Sequence, residues 1–501
     1  MQDSAGRRIR DTMFEVELKF QVPEGALPGV RRALMRGRTQ RQRLQAHYHD
    51  TADRALARAG MALRLRKEGR AWVQTLKAAG THPLQRLEHN VRVAAGPAGQ
   101  APALDVQRHA GSPAGEALLA LLREAGDPPL QLRYRSDIRR TRRELRSAGA
   151  RIELALDEGE LAAGERRLPV CELELELLSG GLPALLAVAA RWAAQHGLWL
   201  DVRSKAERGD RLAEGRERGE PVKSRAPDLA RGTPPAQALR AMLHAGLQQV
   251  LANAAEVAGG DYETEHVHQL RVGLRRMRTA LRLFGDLAPE VDAGWEPRLA
   301  EPFRRLAAAR DRDALAASLL PQLQADGAPA LTLPAQACDD AAALVREPGF
   351  AALLLELLGF VSADVPPPES PGALDKLAAK RLQRLHEQLA DDAPRFCDLP
   401  DPLRHRARKR VKRLRYGLEF VAPLLRGKAL ARYLDALGDA QDALGAYNDL
   451  VVAHALFERS VAEQPQAWFA LGWIAAKRPR VARDCERALK ALAKAPRPWK
   501  G

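Results

Sequence analysis

Several short segments in the first half of the chain place charged side chains and apolar side chains in strict alternation. In MFEVELKFQV, residues 13–22, Glu15, Glu17 and Lys19 alternate with apolar residues. Because successive side chains of a β-strand point to opposite faces, this spacing predicts a strand with one charged and one apolar face. The same alternation recurs downstream, with these residues on the charged faces: Arg64 and Arg66, Glu153 and Asp157, and Glu172, Glu174 and Glu176.

The residue types on these faces indicate what chemistry they could support. Carboxylates that converge from several strands form a hard oxygen site of the kind that Mg²⁺ or Mn²⁺ prefers. Arg and Lys on facing strands would bind phosphate oxygens, Arg through its two-pronged guanidinium group and Lys as a point charge. A solvated outer face explains any single strand of this kind. Purely acidic and purely Arg faces together favour a pocket for a metal and a phosphate chain inside a closed sheet.

The elements that would position these residues change character along the chain. Period-two segments separated by Gly, Pro and Asp continue to about residue 210, with helical insertions near 112–126 and 182–197, and they favour a sheet closed into a barrel or tunnel. Residues 211–234 are polar and lack apolar periodicity, which is typical of a linker. From residue 235 to 501 the apolar period becomes 3.6, which predicts an all-helical domain. The predicted class is therefore α+β.

The helical half contains an internal repeat that carries a histidine and basic residues at matching positions. Helical spacing puts each set on one stripe, namely His268, Arg271, Arg275 and Arg278 in the first copy and His405, Arg408, Lys412 and Arg415 in the second. The repeat predicts two pseudo-symmetric bundles, about 235–370 and 371–501, related by a pseudo-twofold axis. A purely cationic stripe repels itself unless an anion lies along it, although a solvated face and a DNA or RNA interface remain open.

The composition limits the class of partner and the compartment. The formal net charge of +16 favours a polyanionic partner, and the aromatic content of only 5% argues against base stacking as the binding mode. Four widely spaced cysteines without a CxxC pair make a disulfide framework or a zinc site improbable. The sequence shows neither the apolar stretch of a signal peptide nor a run of 18 apolar residues, so we expect a cytoplasmic protein and no membrane partner.

Five segments in order resemble the CYTH domain over roughly residues 13–210. They are EVELK, HYHDTADRALARAGMALRLRKEG, TLK ending at Lys77, CELELELLSG and SKAERG. This family of triphosphate tunnel enzymes includes class IV adenylyl cyclases, thiamine triphosphatases and bacterial inorganic triphosphatases. The resemblance implies an eight-stranded antiparallel β-tunnel, in which acidic residues bind a divalent metal and Arg and Lys hold the triphosphate.

Carried over position by position, the resemblance implies a set of site residues. The implied metal ligands are Glu15, Glu17, Asp157, Glu172 and Glu174, and the implied triphosphate ligands are Lys19, Arg64, Arg66, Lys77, Arg86, Arg140 and Lys205. Glu15, Glu17 and Lys19 would be catalytic, and Glu176 is in register with the metal ligands. The arginine-rich segment RYRSDIRRTRREL leaves the choice between Arg139 and Arg140 open.

The histidine-led repeat resembles the CHAD domain, a family of helical bundles that bind inorganic polyphosphate in a basic cavity. The resemblance covers residues 235–501 and implies that both basic stripes of the repeat contact polyphosphate. His268 and His405 would add hydrogen bonds, or charge if the polyanion raises the pKa of their imidazole groups.

Together these patterns predict a metal-dependent inorganic triphosphatase, which hydrolyses tripolyphosphate to pyrophosphate and phosphate, joined to a polyphosphate-binding domain. One alternative keeps the tunnel but makes it an adenylyl cyclase or a hydrolase of thiamine triphosphate or nucleotides. Another is a non-catalytic protein associated with polyphosphate granules. The metal could be Mg²⁺ or Mn²⁺, and charge alone leaves a nucleic-acid partner as a weaker alternative.

Overall fold

The first half of the chain is built from nine β-strands. The computed structural model describes residues 15–499 apart from 80–84, 97–99, 307, 335–338, 364–373 and 426. The strands are β1 (Glu15–Gln21), β2 (Thr39–Asp50), β3 (Ala62–Glu68), β4 (Ala71–Ala79), β5 (Gln85–Val93), β6 (Gln131–Ser147), β7 (Ala150–Ala163), β8 (Arg166–Ser179) and β9 (Trp199–Leu200).

The strands form one antiparallel sheet that closes on itself. Their order is β5-β4-β3-β2-β6-β7-β8-β1-β9, and β1 also pairs with β5. That last pairing, with Glu15 opposite Arg86, joins the two ends of an eight-stranded sheet, while β9 adds two residues beside β1. The eight-stranded antiparallel tunnel predicted from the sequence is therefore confirmed.

The apolar face of the sheet is covered by helices, which leaves the charged face for the interior of the tunnel. The short helices α1 (Leu27–Leu34) and α2 (Ala55–Arg58) precede two longer insertions, α3 (Pro113–Glu124) and α4 (Leu182–His196). Leu63 and Leu76 of the sheet are fully buried in one cluster with Leu118 and Leu122 of α3. Helix α4 packs against β7 and β8. Burial of apolar surface stabilises the fold by about 25 cal/mol per Å². This stabilisation favours the orientation in which the leucines of a strand face the covering helix.

The remainder of the chain is helical, as its 3.6-residue period predicts. Helix α5 (Lys205–Ala213) enters the segment predicted as a linker, and residues 214–234 hold no helix or strand. The helices that follow are α6 (Pro235–Gly259), α7 (Thr264–Phe284), α8 (Trp295–Arg305), α9 (Ala308–Ala325), α10 (Ala341–Val345), α11 (Pro348–Ser362), α12 (Leu374–Asp392), α13 (Asp401–Val421), α14 (Gly427–Ser460) and α15 (Ala467–Lys494). Among the described residues, no helix has the length and apolar character to cross a bilayer.

The chain divides into two compact units whose borders do not follow the sequence continuously. The first, which we call the tunnel unit, comprises residues 1–222, 251–266 and 341–363. The second, the helical unit, comprises residues 223–250, 267–340 and 364–501. Within the tunnel unit α11 packs on α4. The domain boundaries predicted at residues 210 and 235 stay predictions.

Candidate active site

The register of the sheet brings charged residues of β1 and of β3 to β8 to its inner face, whereas Arg41 and Arg43 of β2 lie on the outer face. Residues directly opposite each other in neighbouring strands point to the same face. From β6 to β1 the pairs run Arg140 to Asp157, Asp157 to Glu172 and Glu174 to Lys19. The same register brings further charged residues to this face: Glu17, Arg64, Arg66, Lys77, Glu88, Glu153 and Glu176.

Three carboxylates from two adjacent strands meet at one point of the tunnel. Oxygen atoms of Asp157, Glu172 and Glu174 lie within 4.8 Å of one another. Nζ of Lys205 lies among them, 2.7 Å from Oδ2 of Asp157, 2.8 Å from Oε1 of Glu174 and in contact with Oε1 of Glu172. Nε of Arg140 donates to Oδ1 of Asp157 at 2.6 Å, and its Nη2 donates to Glu174. We call Asp157, Glu172 and Glu174 the carboxylate cluster.

The cations around this cluster keep Asp157 and Glu174 ionised. Burial by itself would raise the pKa of Asp157, but Arg140 and Lys205 outweigh burial and hold the pKa below its usual value. The same two cations outweigh burial at Glu174 and hold its pKa well below its usual value. Conversely, burial would lower the pKa of Lys205, and the three carboxylates raise it instead. The cluster is therefore a buried site of high charge density.

The donor set of the cluster fits a divalent cation. Three carboxylates that converge within 4.8 Å offer hard oxygen ligands, which suit Mg²⁺ and Mn²⁺. Asp157 and Glu172 are 1% and 0% exposed, so the ligands are held in place by the sheet. The CYTH family implies a divalent metal, and these three residues would hold it. Glu17 faces the tunnel opposite Glu176 but is not one of the three converging ligands.

On the inner face, three predicted triphosphate ligands are buried or half-buried cations: Lys19, Arg64 and Arg66. Lys19 is 7% exposed, and among the described residues its ammonium group makes no hydrogen bond or ion pair. Burial lowers its pKa, although Glu172 and Asp201 oppose that effect. Nη1 of Arg64 donates to the hydroxyl of Tyr48 at 3.1 Å, and its buried Nε has no partner among the described residues.

Arg66 lies beside Arg64 on the same strand face, with Glu68 as its acidic partner. Nε of Arg66 donates to Oε1 of Glu68 at 2.7 Å. Burial first, and then the proximity of Arg64, lowers the pKa of Arg66. Arg64 and Arg66 are half-buried guanidinium groups on one strand face, and an anion lying between them would offset their mutual repulsion.

The remaining predicted ligands are placed as follows. Arg140 faces the tunnel, whereas Arg139 pairs with Glu158 in register on the outer face and is exposed. Lys77 faces the tunnel and pairs with Glu88 at 2.7 Å. Glu15 and Arg86 are paired in the sheet, but their side chains lie outside the described part of the structure.

Helix α5 brings Lys205 into the tunnel from outside the sheet. The hydroxyl of Ser204 caps the helix by accepting from the backbone N–H of Glu207 at 3.0 Å. One turn after Lys205, Arg208 also reaches the cluster and donates to Oε2 of Glu172. Arg208 was not among the predicted ligands, although its i+3 spacing from Lys205 on a helix is a sequence signal for the same face.

Other inner residues were missed or underrated by the sequence interpretation. Glu88 shares its strand face with Arg86, and this alternation was a usable signal. Glu176 is the only inner acid with a strongly raised pKa among those described, because burial and the neighbouring Glu153 and Glu17 raise it to about 7. Asp201 follows β9 in an irregular segment, so its burial was not predictable from the sequence. Nε2 of Gln21 donates to Oδ2 of Asp201 at 2.9 Å.

In the helical unit, the first predicted basic stripe lies on one face of α7. The guanidinium carbons of Arg271, Arg275 and Arg278 lie 5.3, 5.8 and 5.2 Å from the centre of the Phe303 ring of α8. Nε of Arg275 donates to the hydroxyl of Tyr416 on α13 at 3.0 Å. His268, at the start of the stripe, is half-buried. The three arginines therefore share one face of the helix, as their spacing predicts.

The second predicted basic stripe lies on α13, where further basic residues neighbour His405. Burial, together with the charges of Lys409 and Arg408, lowers the pKa of His405, so the imidazole is neutral unless an anion is bound. Nε of Arg415 donates to Oε1 of Glu419 at 3.1 Å. Arg408 and Lys412 are half-buried on the same helix.

Comparison with known proteins identifies two families along the chain. Residues 13–209 match the CYTH domain family, and residues 241–458 match the CHAD domain family. The chain contains a CYTH domain and a CHAD domain. The closed sheet with inward charges is the CYTH part, and the two basic stripes belong to the CHAD part.

Individual relatives of this CYTH–CHAD chain cover only part of it. An inorganic triphosphatase of Haemophilus influenzae is 28% identical over 169 residues, which are 32% of this chain and 44% of the relative, so the chain matches less than half of that protein. The CHAD domain from the plant Ricinus communis is 30% identical and covers 56% of this chain and 99% of that chain, with a TM-score of 0.45. A proposed adenylyl cyclase from Hippeastrum with a dominant triphosphatase activity is 18% identical, covers 40% of this chain and 96% of that chain, and gives a TM-score of 0.26.

Proposed function

We propose that the tunnel hydrolyses inorganic triphosphate to pyrophosphate and phosphate with Mg²⁺ or Mn²⁺ as cofactor. The observation that carries the proposal is the side-by-side arrangement of the carboxylate cluster and buried cations, of which Lys19 makes no ion pair among the described residues. The CYTH match and the Haemophilus influenzae triphosphatase support a triphosphate substrate.

Each group of residues has a defined task in this proposal. Lys19, Arg64 and Arg66 bind the non-bridging oxygens of the phosphate chain and neutralise its charge, as transfer of a phosphoryl group requires. The carboxylate cluster holds the divalent ion, which when bound supplies electrophilic activation of a phosphoryl oxygen and acidifies a coordinated water. Arg140 and Lys205 contact the same carboxylates and keep them oriented.

An inorganic substrate is favoured over a nucleotide by the aromatic residues inside the tunnel. Among the inward-facing side chains that the structure describes, Tyr48 and Tyr134 carry the aromatic rings. They stack on each other at 4.6 Å between ring centres, and the Tyr134 hydroxyl donates to the carbonyl of Ala206 in α5. Since Tyr48 and Tyr134 are only 4% and 7% exposed, neither ring offers a free face to a purine or a thiazolium ring.

A panel of substrates tests the proposal. We expect phosphate release from tripolyphosphate in Mg²⁺ or Mn²⁺, and much slower release from ATP and thiamine triphosphate. Glu172→Gln, which keeps the shape and removes the charge of a ligand that is 0% exposed, should lower kcat/KM by at least about a hundredfold. Glu160→Gln is the matched control, because Glu160 is about half exposed on the outer face of β7. Formation of cyclic AMP without phosphate release, or full activity in Glu172→Gln, would overturn the proposal.

We further propose that the CHAD domain binds inorganic polyphosphate along its two stripes. Arg271, Arg275 and Arg278 present three guanidinium groups around one ring, and this spacing suits the repeating phosphates of a chain. A polyanion bound in the same chain as the tunnel would raise the local concentration of phosphate chains.

A further inference from the structure

The two copies of the CHAD motif place equivalent residues in non-equivalent contacts. Arg276 and Arg413 each lie eight residues after the histidine that opens their copy, whereas Arg282 and Glu419 each lie fourteen residues after it. Burial supports this alignment, because the flanking positions are fully buried in both helices: Leu274 and Met277 in α7, Val411 and Leu414 in α13. Arg282 in the first copy therefore corresponds to Glu419 in the second.

One of the two equivalent contacts is a complete ion pair. Arg276 is 2% exposed, and its Nη1 donates to Oε2 of Glu419. Its guanidinium carbon lies 5.0 Å from the centre of the Phe420 ring and 5.7 Å from that of Tyr416. The buried arginine of the first copy is therefore compensated by a carboxylate of the second.

The other equivalent contact brings two arginines together. Arg413 faces Arg282 where symmetry would supply a carboxylate, and Arg410 lies close by. Arg413 is half-buried and, among the described residues, makes no hydrogen bond or ion pair. Burial and the charges of Arg282 and Arg410 lower its pKa. Glu296 opposes this lowering, but the guanidinium group of Arg413 has no ion-pair partner among the described residues.

The carboxylate that acts on Arg413, Glu296, is engaged by two other arginines. Oε1 of Glu296 accepts from Nε of Arg278 at 2.8 Å and lies 2.9 Å from Nη2 of Arg282. It does not bond to Arg413. Glu296 is thus shared between Arg278 and Arg282, and Arg413 has no ion pair among the described residues.

Arg413 and Arg282 line a cavity of about 830 Å³ to which α12 contributes two more arginines, Arg381 and Arg384. Three acids also line it, namely Asp286, Asp292 and Glu296. Nη2 of Arg381 donates to Oδ2 of Asp286 at 2.7 Å, and Oδ1 of Asp292 accepts from the backbone of Gly294 at 2.7 Å. Arg384 is exposed and makes no ion pair among the described residues, so Arg384 and Arg413 are the cations of the cavity without an ion pair, and Asp292 is the acid without one.

We propose that this cavity binds a compact phosphate anion, either a short oligophosphate such as pyrophosphate or the terminal phosphate of a longer chain, between Arg282, Arg384 and Arg413. Guanidinium groups from three different helices can each present two N–H groups to such an anion. The anion takes the place that Glu419 has in the symmetry-related contact. The proposal stands apart from hydrolysis in the tunnel, because none of its residues faces the tunnel.

Titration of the full chain with pyrophosphate by calorimetry tests the proposal. EDTA is present so that nothing is hydrolysed, and an Arg64→Gln background reduces binding in the tunnel. Arg413→Gln should weaken pyrophosphate binding about tenfold, the loss expected for a hydrogen bond between charged groups. Arg282→Glu should weaken pyrophosphate binding at least as much as Arg413→Gln does and should raise Tm, because it recreates here the ion pair that Arg276 makes with Glu419. Arg480→Glu, on an exposed position of α15, is the control with the same change of charge.

Several outcomes would overturn the proposal. Pyrophosphate binding by Arg413→Gln and Arg282→Glu at the wild-type affinity would show that the cavity is not an anion site. A loss confined to long-chain polyphosphate, with pyrophosphate unaffected, would show that these arginines serve an extended chain and not a compact anion. Because Arg413→Gln should turn over tripolyphosphate at the wild-type rate in Mn²⁺, a negative binding result leaves the proposed triphosphatase activity untouched.

Discussion

Lys205 shows how a single residue is placed in the tunnel. The resemblance implies a phosphate ligand, which stays a prediction, and the structure places its ammonium group among Asp157, Glu172 and Glu174. Sequence spacing could not indicate this, because Lys205 reaches the cluster from a helix outside the sheet. The ammonium group and a divalent ion would compensate the same carboxylates, so each affects the binding of the other.

This overlap predicts the behaviour of Lys205→Met in the absence and presence of metal. Removing the cation from a buried cluster should lower the free energy of unfolding in EDTA by about 3 kcal/mol. Mn²⁺ should then stabilise the variant more than it stabilises the wild type, since it no longer has to displace an ammonium group. Urea denaturation with EDTA and with Mn²⁺ measures both effects.

Lys77→Met provides the comparison within the same tunnel. Lys77 pairs with Glu88 at 2.7 Å and lies away from the carboxylate cluster, so its variant should lose less stability and show the wild-type response to Mn²⁺. Equal responses of the two variants to Mn²⁺ would contradict a metal site at Asp157, Glu172 and Glu174.

At the scale of elements, the inner faces of the strands were predictable from the sequence, whereas the placement of helix α5 was not. Alternation along each strand identified the inner faces, because period two follows directly from strand geometry. The choice between Arg139 and Arg140 needed the register with β7, which pairs Arg140 with Asp157. The depth to which α5 enters depends on tertiary packing, which a local pattern does not encode.

The packing of α5 predicts that Gly209→Ala displaces the residues that α5 contributes to the site, although the added methyl group is not part of the site. A Cβ at Gly209 would clash with the ring of Tyr134, and the helix would have to shift. We expect a loss of about 1–3 kcal/mol in the free energy of unfolding. We also expect a lower kcat for triphosphate, since α5 carries Lys205 and Arg208.

Gly438→Ala is the control for this substitution. Gly438 lies in α14, and a Cβ there meets no atom within 4 Å. Helix propensity should make that variant more stable by about 0.5–1 kcal/mol with unchanged kcat. Thermal unfolding and steady-state kinetics of the two variants provide the comparison. Equal thermal stability and equal kcat of Gly209→Ala and Gly438→Ala would show that contact with Tyr134 does not determine the position of α5.

At the scale of the whole molecule, the net charge of +16 predicts how polyphosphate binding depends on salt. Release of counterions from a polyanion makes affinity fall steeply with salt. We expect the full chain to lose about two to three orders of magnitude in affinity for long-chain polyphosphate between about 50 and about 200 mM NaCl. Fluorescence anisotropy of labelled polyphosphate measures this slope.

A triple variant of the first stripe identifies the residues responsible for the slope. Replacing Arg271, Arg275 and Arg278 by Gln should reduce its magnitude by about one unit for each phosphate that the variant no longer neutralises. Arg480→Gln should leave the slope unchanged. An unaltered slope in the triple variant, or stronger binding to duplex DNA than to polyphosphate at equal salt, would contradict a polyphosphate stripe.

Which segments belong to which compact unit could not be predicted from the sequence, and the reason is physical. A period of 3.6 identifies α10 and α11 as helices but does not specify what their apolar faces cover. In the structure, α11 packs on α4 and belongs with the sheet, although the chain reaches it after much of the helical unit. Only the long-range contacts determine this assignment.

Closure of the tunnel through β1 has a consequence for the order of events during synthesis. β1 pairs with β5, β8 and β9, and β8 begins only at Arg166. While the ribosome is still adding β6 and β7, the edge of β1 that later meets β8 is exposed to the cell. Such an edge can pair with other chains. The nascent chain therefore keeps an unpaired edge on β1 until β8, which ends at Ser179, has emerged.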